Sequence, residues 1–334
     1  MDTIGPAQKQ LWGKDTWRAA IQEIFFAKFL NKKNDDFNAI VYMTDVFKKE
    51  KGGQFWISLM TPLVGEGVED DAILEGNEEA LLYYDMSLTL KEYVHAVRLK
   101  GKLAEQKVAI DMRKDAKAAL SDWLSRKIDR LCVDKFSATP SAGRILWGGD
   151  ATSDITLDSS DVMSTALISK AKRKAQMATI GTTSAESKIR PIKVDGKDMY
   201  VCLLHPYQAK AIKAETAWQQ AQREANIRGE KNPIFSGAMG IWDGVVLHEY
   251  ERIKTYSNWG VATPPVLPGA RALFCGAQAL AIGVHQYPTW EEKDFDYARK
   301  AGFSTGVIMA VDKPKFNAED FAVIALDTYI AVDS

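Results

Sequence analysis

Apolar positions spaced three and four residues apart predict two helices in the first half of the chain. The first helix covers residues 15–30, with Asp15 or Thr16 as its N-cap, and follows an irregular arm at residues 1–13. Its apolar face needs cover, either from the chain's own core or from a neighbouring subunit. The second helix covers residues 102–136, which contain no Pro or Gly. It would be about 50 Å long, and its broad apolar face favours a spine on a sheet over a coiled coil.

Between the two helices the pattern is that of β-structure. Residues 53–60 form one predicted strand, and residues 83–99 a second, longer one in which Met86, Leu88 and Leu90 alternate with polar residues. Together they predict an extended hairpin. Because an isolated hairpin is marginal in water, we expect it to lean on the body or on another chain.

The link between these strands is acidic and contains no Lys or Arg between its first and last carboxylate. Its acidic residues are Glu66, Glu69, Asp70, Asp71, Glu75, Glu78 and Glu79. Three interpretations stay open: a solvated loop, a contact with a basic patch on a neighbouring subunit, or a divalent-cation site. The link lacks the regular spacing of a calcium loop.

The second half of the chain mixes short helices and strands. The predictions are a loop at 137–157, a helix near 160–178, a hairpin at 189–204 turning at Asp195-Gly196, a helix from Pro206 to 227, a loop at 228–243, a strand at 245–247 and an irregular crossing at 257–270. The nearly unbroken apolar run from Phe321 to Val332 predicts a central strand covered on both faces. A chain that ends on a central strand indicates a discontinuous domain.

Composition narrows the function classes. The 334 residues are 46% hydrophobic and 26% charged, which is typical of a folded protein of roughly two domains. The net charge of −1 argues against a dedicated nucleic-acid binder. Three separated cysteines argue against a disulfide scaffold or zinc site. With no leader pattern and no long apolar run, we expect a soluble protein that is made and kept inside a cell.

Residues that could carry catalysis are sparse. The chain has no phosphate loop, nucleophile elbow or zinc-protease motif, and its four histidines are isolated in sequence. We therefore predict no enzyme, no cofactor, no catalytic residue and no metal. His95 is interpreted as an interface or surface residue, His205 as a helix-entry residue and Cys132 as a packing residue. The basic cluster Lys170, Lys172, Arg173 and Lys174 is a solvated helix face, or contacts an acidic loop of another subunit or DNA.

Several local segments resemble one family of phage major capsid proteins, the podophage type. They are Leu74–Glu79, Tyr93–Arg98 with Gly101, Leu103–Lys107, His205-Pro206, Asn232–Ala238, Asp243–Val246 and Leu273–Ala279. The order of predicted elements is also similar to the α+β Johnson fold of phage and herpesvirus capsid proteins. The resemblance runs from about residue 50 to the end of the chain.

The resemblance implies a division of the chain. Residues 1–50 would be an N-terminal arm and helix, 51–101 the extended loop, 102–145 with 313–334 a peripheral domain containing the spine helix 102–136, and 146–312 an axial domain. The acidic residues of the link, His95, Arg98 and the basic cluster are then candidates for contacts between subunits.

The resemblance also implies partners. The chain would form the hexamers and pentamers of an icosahedral shell, weakly contact packaged double-stranded DNA, and use a separate scaffolding protein and a portal. A separate scaffold is expected because the first apolar helix starts too early to leave room for a scaffolding segment. The alternatives are the shell of an encapsulin-type nanocompartment and an intracellular α/β enzyme.

Overall fold

The described chain contains both helices and strands, and from residue 240 onward its described elements are all strands. The computed structural model describes residues 6–31, 37–44, 54–60, 68–69, 75, 78, 80, 83–101, 112–177, 188–194, 196–226, 238–260, 266–297, 299–316 and 318–333. The α-helices are α1 (Pro6–Glu23), α2 (Met112–Phe136), α3 (Thr165–Gln176), α4 (Pro206–Ala214) and α5 (Thr216–Asn226), and 3-10 turns cover Phe25–Phe29 and Ala142–Arg144.

The strands of the first half are β1 (Val41–Thr44), β2 (Gln54–Met60), β3 (Tyr83–Thr89), β4 (Lys91–Arg98) and β5 (Ile145–Trp147). Those of the second half are β6 (Ile192–Val194), β7 (Lys197–Leu204), β8 (Gly240–Trp242), β9 (Val245–Glu249), β10 (Thr255–Trp259), β11 (Leu267–Cys275), β12 (Leu280–Phe295), β13 (Lys300–Asp312), β14 (Lys315–Phe316), β15 (Glu319–Asp320) and β16 (Val323–Tyr329).

Two larger sheets organise these strands. A four-stranded sheet has the order β1-β12-β13-β4, and an eight-stranded sheet has the order β5-β16-β11-β7-β9-β8, with β10 added to β11 and β6 to β7. Strands β2 and β3 pair with each other, as do β14 and β15. The resulting α+β architecture agrees with the fold class that the sequence predicts.

The first helix begins earlier than predicted, at Pro6 instead of residue 15. Gly13, the last residue of the predicted irregular arm, lies within this helix and allows close packing: a Cβ there would lie 2.3 Å from the carbonyl oxygen of Pro288. Thr16 is not a cap, since its hydroxyl donates to the Trp12 carbonyl one turn earlier. Ala20 and Ile24 are buried in the main core, so the helix lies against the chain's own body.

Helix α2 is the predicted spine. Its 25 residues bury Leu120, Leu124, Ile128 and Phe136, which face α1 and the four-stranded sheet. Residues 102–111, the first part of the predicted helix, lie outside the described residues. Asp122 and Arg126, one turn apart on α2, form an ion pair.

The predicted second strand of the extended hairpin is two strands. Residues 83–89 pair with β2, but after Leu90 the chain changes partner and residues 91–98 pair with β13. Alternation of polar and apolar residues continues through Leu90, and therefore the sequence pattern could not mark this change.

The longest hairpin of the described chain, β12 with β13, had no counterpart in the sequence predictions. Its two strands pair from Ala281–Asp312 to Phe295–Lys300, with irregular register near Gln286. Trp290 and Phe303 stack at a centroid distance of 5.7 Å and pack under α2. The hairpin therefore joins the four-stranded sheet to both long helices.

The predictions for residues 137–270 hold only in part. The loops predicted at 137–157 and 228–243 contain the short strands β5 and β8. The 189–204 hairpin is confirmed by the pairing of β6 with β7. The predicted helix from Pro206 divides at Glu215, whose carboxylate accepts hydrogen bonds from the backbone and hydroxyl of Thr165. The predicted irregular crossing at 257–270 contains strand residues, since β10 pairs with β11 around Tyr256 and Gly269.

The last strand is central, as predicted. Strand β16 lies between β5 and β11, and Asp327 within it is fully buried. Arg271 opposes Asp327 in register and donates from Nε and Nη2 to its carboxylate, at 2.8 and 2.7 Å. Burial raises the pKa of the Asp327 carboxyl, while the Arg271 hydrogen bonds oppose the rise. Arg271 also donates to the carbonyl of Ser137, just after α2.

Each of the two larger sheets contains strands from both sides of the predicted axial-domain boundaries at residues 146 and 312. The terminal strand pairs with β11, within the predicted axial range, whereas β12 and β13 from that range join the sheet that covers the spine helix. The division into shell domains itself stays a prediction.

Candidate inter-subunit surfaces

The β2–β3 hairpin has two chemically different faces. Phe55 and Leu88 are opposite each other in register, buried, and packed on Ala281 and Ala310 of the body. Gly283 makes room for this contact, since a Cβ there would lie 2.9 Å from the Phe55 ring. Because side chains alternate along a strand, the neighbouring residues form the opposite, outward face.

That outward face carries exposed aromatic side chains. Trp56 is 61% exposed and Tyr83 is 58% exposed, and their positions lie on the same face of the paired strands. The hydroxyl of Ser58 donates to the Asp85 carboxylate between them. Large apolar groups gathered on one exposed element are typical of a protein contact surface.

The acidic link belongs to the same hairpin. Glu69, Glu75 and Glu78 are exposed. The other predicted contact residues of the link, Glu66, Asp70, Asp71 and Glu79, lie outside the described residues. The structure therefore places three of the seven carboxylates at the surface.

The two predicted contact residues of β4 are both exposed, but they lie in different surroundings. The His95 ring packs on Trp123 of α2 at a centroid distance of 4.9 Å. The Arg98 guanidinium lies 4.4 Å from the centroid of the Phe295 ring. Strand β4 ends the four-stranded sheet, and none of the described strands pairs with its outer edge. That edge can accept another chain.

The basic cluster of α3 is partly engaged within the chain. Lys172 donates to the Asp243 carboxylate at 2.8 Å. Lys170 and Arg173 are exposed, and Lys174 is half-buried. The structure does not bring this cluster together with the described part of the acidic link.

A basic groove on the outer face of α2 was missed by the sequence predictions. Its volume is about 640 Å³, and its lining is Trp123, Arg126, Lys127, Arg130, Val133, Asp134 and Arg252. Arg130 and Asp134 are also one turn apart on α2, but among the described side chains they form no ion pair, so Arg130 is available to the groove. The sequence signal was the spacing of three basic residues on one helix face, but Arg252 joins them only in the folded chain.

The three cysteines and His205 have structural roles in the fold. Cys132, Cys202 and Cys275 are buried, and burial raises the pKa of each thiol. His205 caps α4 through its Nδ1, which accepts from the backbone of Tyr207 at 3.3 Å, as expected for a helix-entry residue.

Comparison with known proteins decides the class of this molecule. The sequence profile of the phage capsid protein family matches residues 6–332. The major capsid protein of Pseudomonas phage KPP25 is 30% identical, over 97% of this chain and 95% of that protein. This chain belongs to the phage capsid protein family.

Solved structures agree with this assignment. The capsid of Ralstonia phage GP4 superimposes on the capsid protein described here with a TM-score of 0.82 at 26% identity, covering 93% of this chain and 92% of that one. The acid-stable capsid of Helicobacter pylori bacteriophage KHP30 has a TM-score of 0.72 at 18% identity, with 92% of both chains covered, and supports the fold alone.

The family assignment makes this chain a phage major capsid protein, a structural component of the phage head. Its surfaces for other subunits are consequently the features of functional interest. Among the described helices, none combines the length and the apolar character that crossing a bilayer requires.

Proposed function

We propose that this capsid protein assembles with copies of itself, as hexamers and pentamers, into a closed icosahedral shell around double-stranded phage DNA. The observation that carries the proposal is the two-faced β2–β3 hairpin. Its Phe55 face fixes it to the body, and its Trp56 face is left to contact a neighbour. Many such contacts, each weak, stabilise a closed shell, while a single misplaced subunit can still dissociate.

The segments have separate roles in this proposal. Residues 51–101 reach over an adjacent subunit as the extended loop, α2 is the spine of the peripheral region, and the eight-stranded sheet forms most of the axial region around the capsomer axes. The buried Arg271–Asp327 pair, which links both sheet strands to the end of α2, keeps these regions in a fixed relation.

We further propose that the basic groove on α2 receives the acidic link of a neighbouring copy. The groove presents Arg126, Lys127, Arg130 and Arg252, and the link carries seven carboxylates without a basic residue among them. Opposite charges of this kind steer association and fix the register of contacts. Reversing the charge of Arg130 should slow assembly and remove part of its salt dependence, and unchanged assembly of Arg130→Glu at low salt would argue against this contact.

A separate scaffolding protein and a portal complete the proposed assembly, which takes place in the bacterial cytoplasm. The near-neutral charge of the chain suits a container, because a strongly basic wall would hold packaged DNA tightly. The alternative is a nanocompartment shell that encloses protein cargo. Nucleic acid or protein inside particles purified from phage-infected cells distinguishes the two.

The hairpin contact is tested by electron microscopy of shells assembled from Trp56 variants. Trp56→Ser should leave the isolated subunit folded and prevent or strongly reduce shell formation, because it removes exposed aromatic surface and nothing from the core. Trp56→Phe retains an aromatic surface and is the matched control, expected to assemble. Shells of normal yield from Trp56→Ser at equal protein concentration would refute the role of this face.

A further inference from the structure

The loop between β5 and α3 brings three carboxylates together. Asp150, Asp158 and Asp161 each offer an oxygen, and these oxygens lie within 4.8 Å of one another. No Lys or Arg occurs from Ile145 to Ser169. Among the described residues, no cationic side chain forms an ion pair with any of the three. Like charges so close together repel unless a cation or a proton compensates them.

A second observation concerns the buried member of this group. Asp161 is 0% exposed, and its Oδ1 has no hydrogen-bond partner within the described chain. Its Oδ2 accepts from the backbone nitrogen of Asp158 at 2.7 Å, which fixes the orientation of the carboxylate. A buried carboxylate oxygen without a partner is costly, and a bound cation would satisfy it.

The backbone of the loop packs closely against the Asp161 side chain. Gly149 has a φ of +50°, and a Cβ there would lie 2.0 Å from Asp161 Oδ1. Only glycine fits at this position, and it brings the peptide next to Asp150 against the unpartnered oxygen. The loop is also fixed to the terminal strand, since Gly148 donates to the Asp327 carbonyl and Tyr329 donates to the Asp161 carbonyl, both at 2.9 Å.

We propose that this loop is a calcium site, with Asp150, Asp158 and Asp161 as its carboxylate ligands. Calcium binds oxygen at about 2.3–2.6 Å, so two oxygens on opposite sides of one ion are about 4.6–5.2 Å apart. The three carboxylate oxygens, which all lie within 4.8 Å of one another, can therefore reach one ion of this size. Calcium also tolerates irregular shells completed by carbonyls and water, whereas magnesium demands a near-ideal octahedron of about 2.0–2.1 Å. Bound calcium would clamp the loop to β16.

Terbium luminescence on the full-length chain tests the site directly. Terbium binds calcium sites, and Trp147, three residues before Asp150, can sensitise its emission. After dialysis against a chelator, we expect saturable emission with one ion per chain, which CaCl2 displaces. Calorimetry with CaCl2 alone should give the same stoichiometry, and calcium should raise the unfolding temperature by about 3 °C or more at saturation.

Variants distinguish a specific calcium site from general binding of cations to the charged surface. Asp158→Asn and Asp150→Asn change exposed carboxylates, so both should fold, and each should weaken calcium binding at least tenfold. Asp154→Asn removes one exposed carboxylate from the same loop but outside the cluster, and should bind calcium within twofold of the unmodified protein. Asp161→Asn should abolish binding.

Three results would overturn the proposal. The first is no saturable terbium or calcium signal up to millimolar concentration. The second is equal weakening by Asp154→Asn and Asp158→Asn, which would indicate loose counter-ions only. The third is MgCl2 binding as tightly as CaCl2, which would exclude a calcium site. None of these measurements depends on shell assembly.

Discussion

The buried Arg271–Asp327 pair allows a quantitative test of how the two halves of the fold are held together. Asp327 has no exposed surface and the Arg271 side chain is 10% exposed, with Nη2 and Oδ2 2.7 Å apart. Asp327→Asn keeps the shape but leaves the guanidinium without its counter-charge. Breaking such a buried pair costs about 3–5 kcal/mol of unfolding free energy.

The assay is urea unfolding of the unassembled subunit, followed by tryptophan fluorescence. With a slope of about 3 kcal/mol per molar urea, we expect the urea midpoint for Asp327→Asn to fall by about 1–1.7 M. The matched control is Asp333→Asn. It removes a carboxylate from the exposed pair with Lys210, whose side chains are 59% and 64% exposed, and should cost less than about 0.5 kcal/mol.

A double-mutant cycle identifies the physical cause. Arg271→Met alone leaves a buried carboxylate uncompensated and should also cost about 3–5 kcal/mol. Combined with Asp327→Asn, the loss should be smaller than the sum of the two by about 2 kcal/mol, since neither charge is then left alone. A loss below about 1 kcal/mol for Asp327→Asn, or strict additivity of the two changes, would refute the reasoning.

Three other predictions follow from single contacts. Burial lowers the pKa of His205 below its usual value, against the opposing effect of Glu249, and its Nδ1 must be unprotonated to cap α4. The stability that this cap provides is present above about pH 6.5 and is lost as the pH falls through the lowered pKa. The urea midpoint of His205→Asn should therefore change less between pH 7 and pH 5 than that of the unmodified protein, and an equal change would contradict this. Leu124→Ala, at a fully buried position of α2, should cost about 2–5 kcal/mol in the same assay, and a cost below about 1 kcal/mol would mean that the spine face is not packed as described. Gly283→Val should press on the Phe55 ring and loosen the hairpin, so limited proteolysis of the subunit should cut within residues 54–89 faster; unchanged cleavage would argue against this anchoring.

The sequence alone determined the elements whose patterns are local. The spacing of Leu120, Leu124 and Ile128 was enough to predict the spine helix, and the run after Phe321 was enough to predict a central last strand. Short motifs distributed along the chain carried the family resemblance, and the profile match over residues 6–332 confirms it. These signals were readable because helical periodicity, strand burial and short motifs each occupy neighbouring positions in the chain.

Only the tertiary structure decided which elements share a sheet and which residues share a surface. The change of partner at Leu90, the start of α1 before Gly13, and the assignment of β12 and β13 to the sheet beneath the spine depend on contacts between distant segments. Arg252 joins the basic groove from more than 100 residues away. Periodicity reports which face of an element is covered, but the partner that covers it is set by the packing of the whole chain.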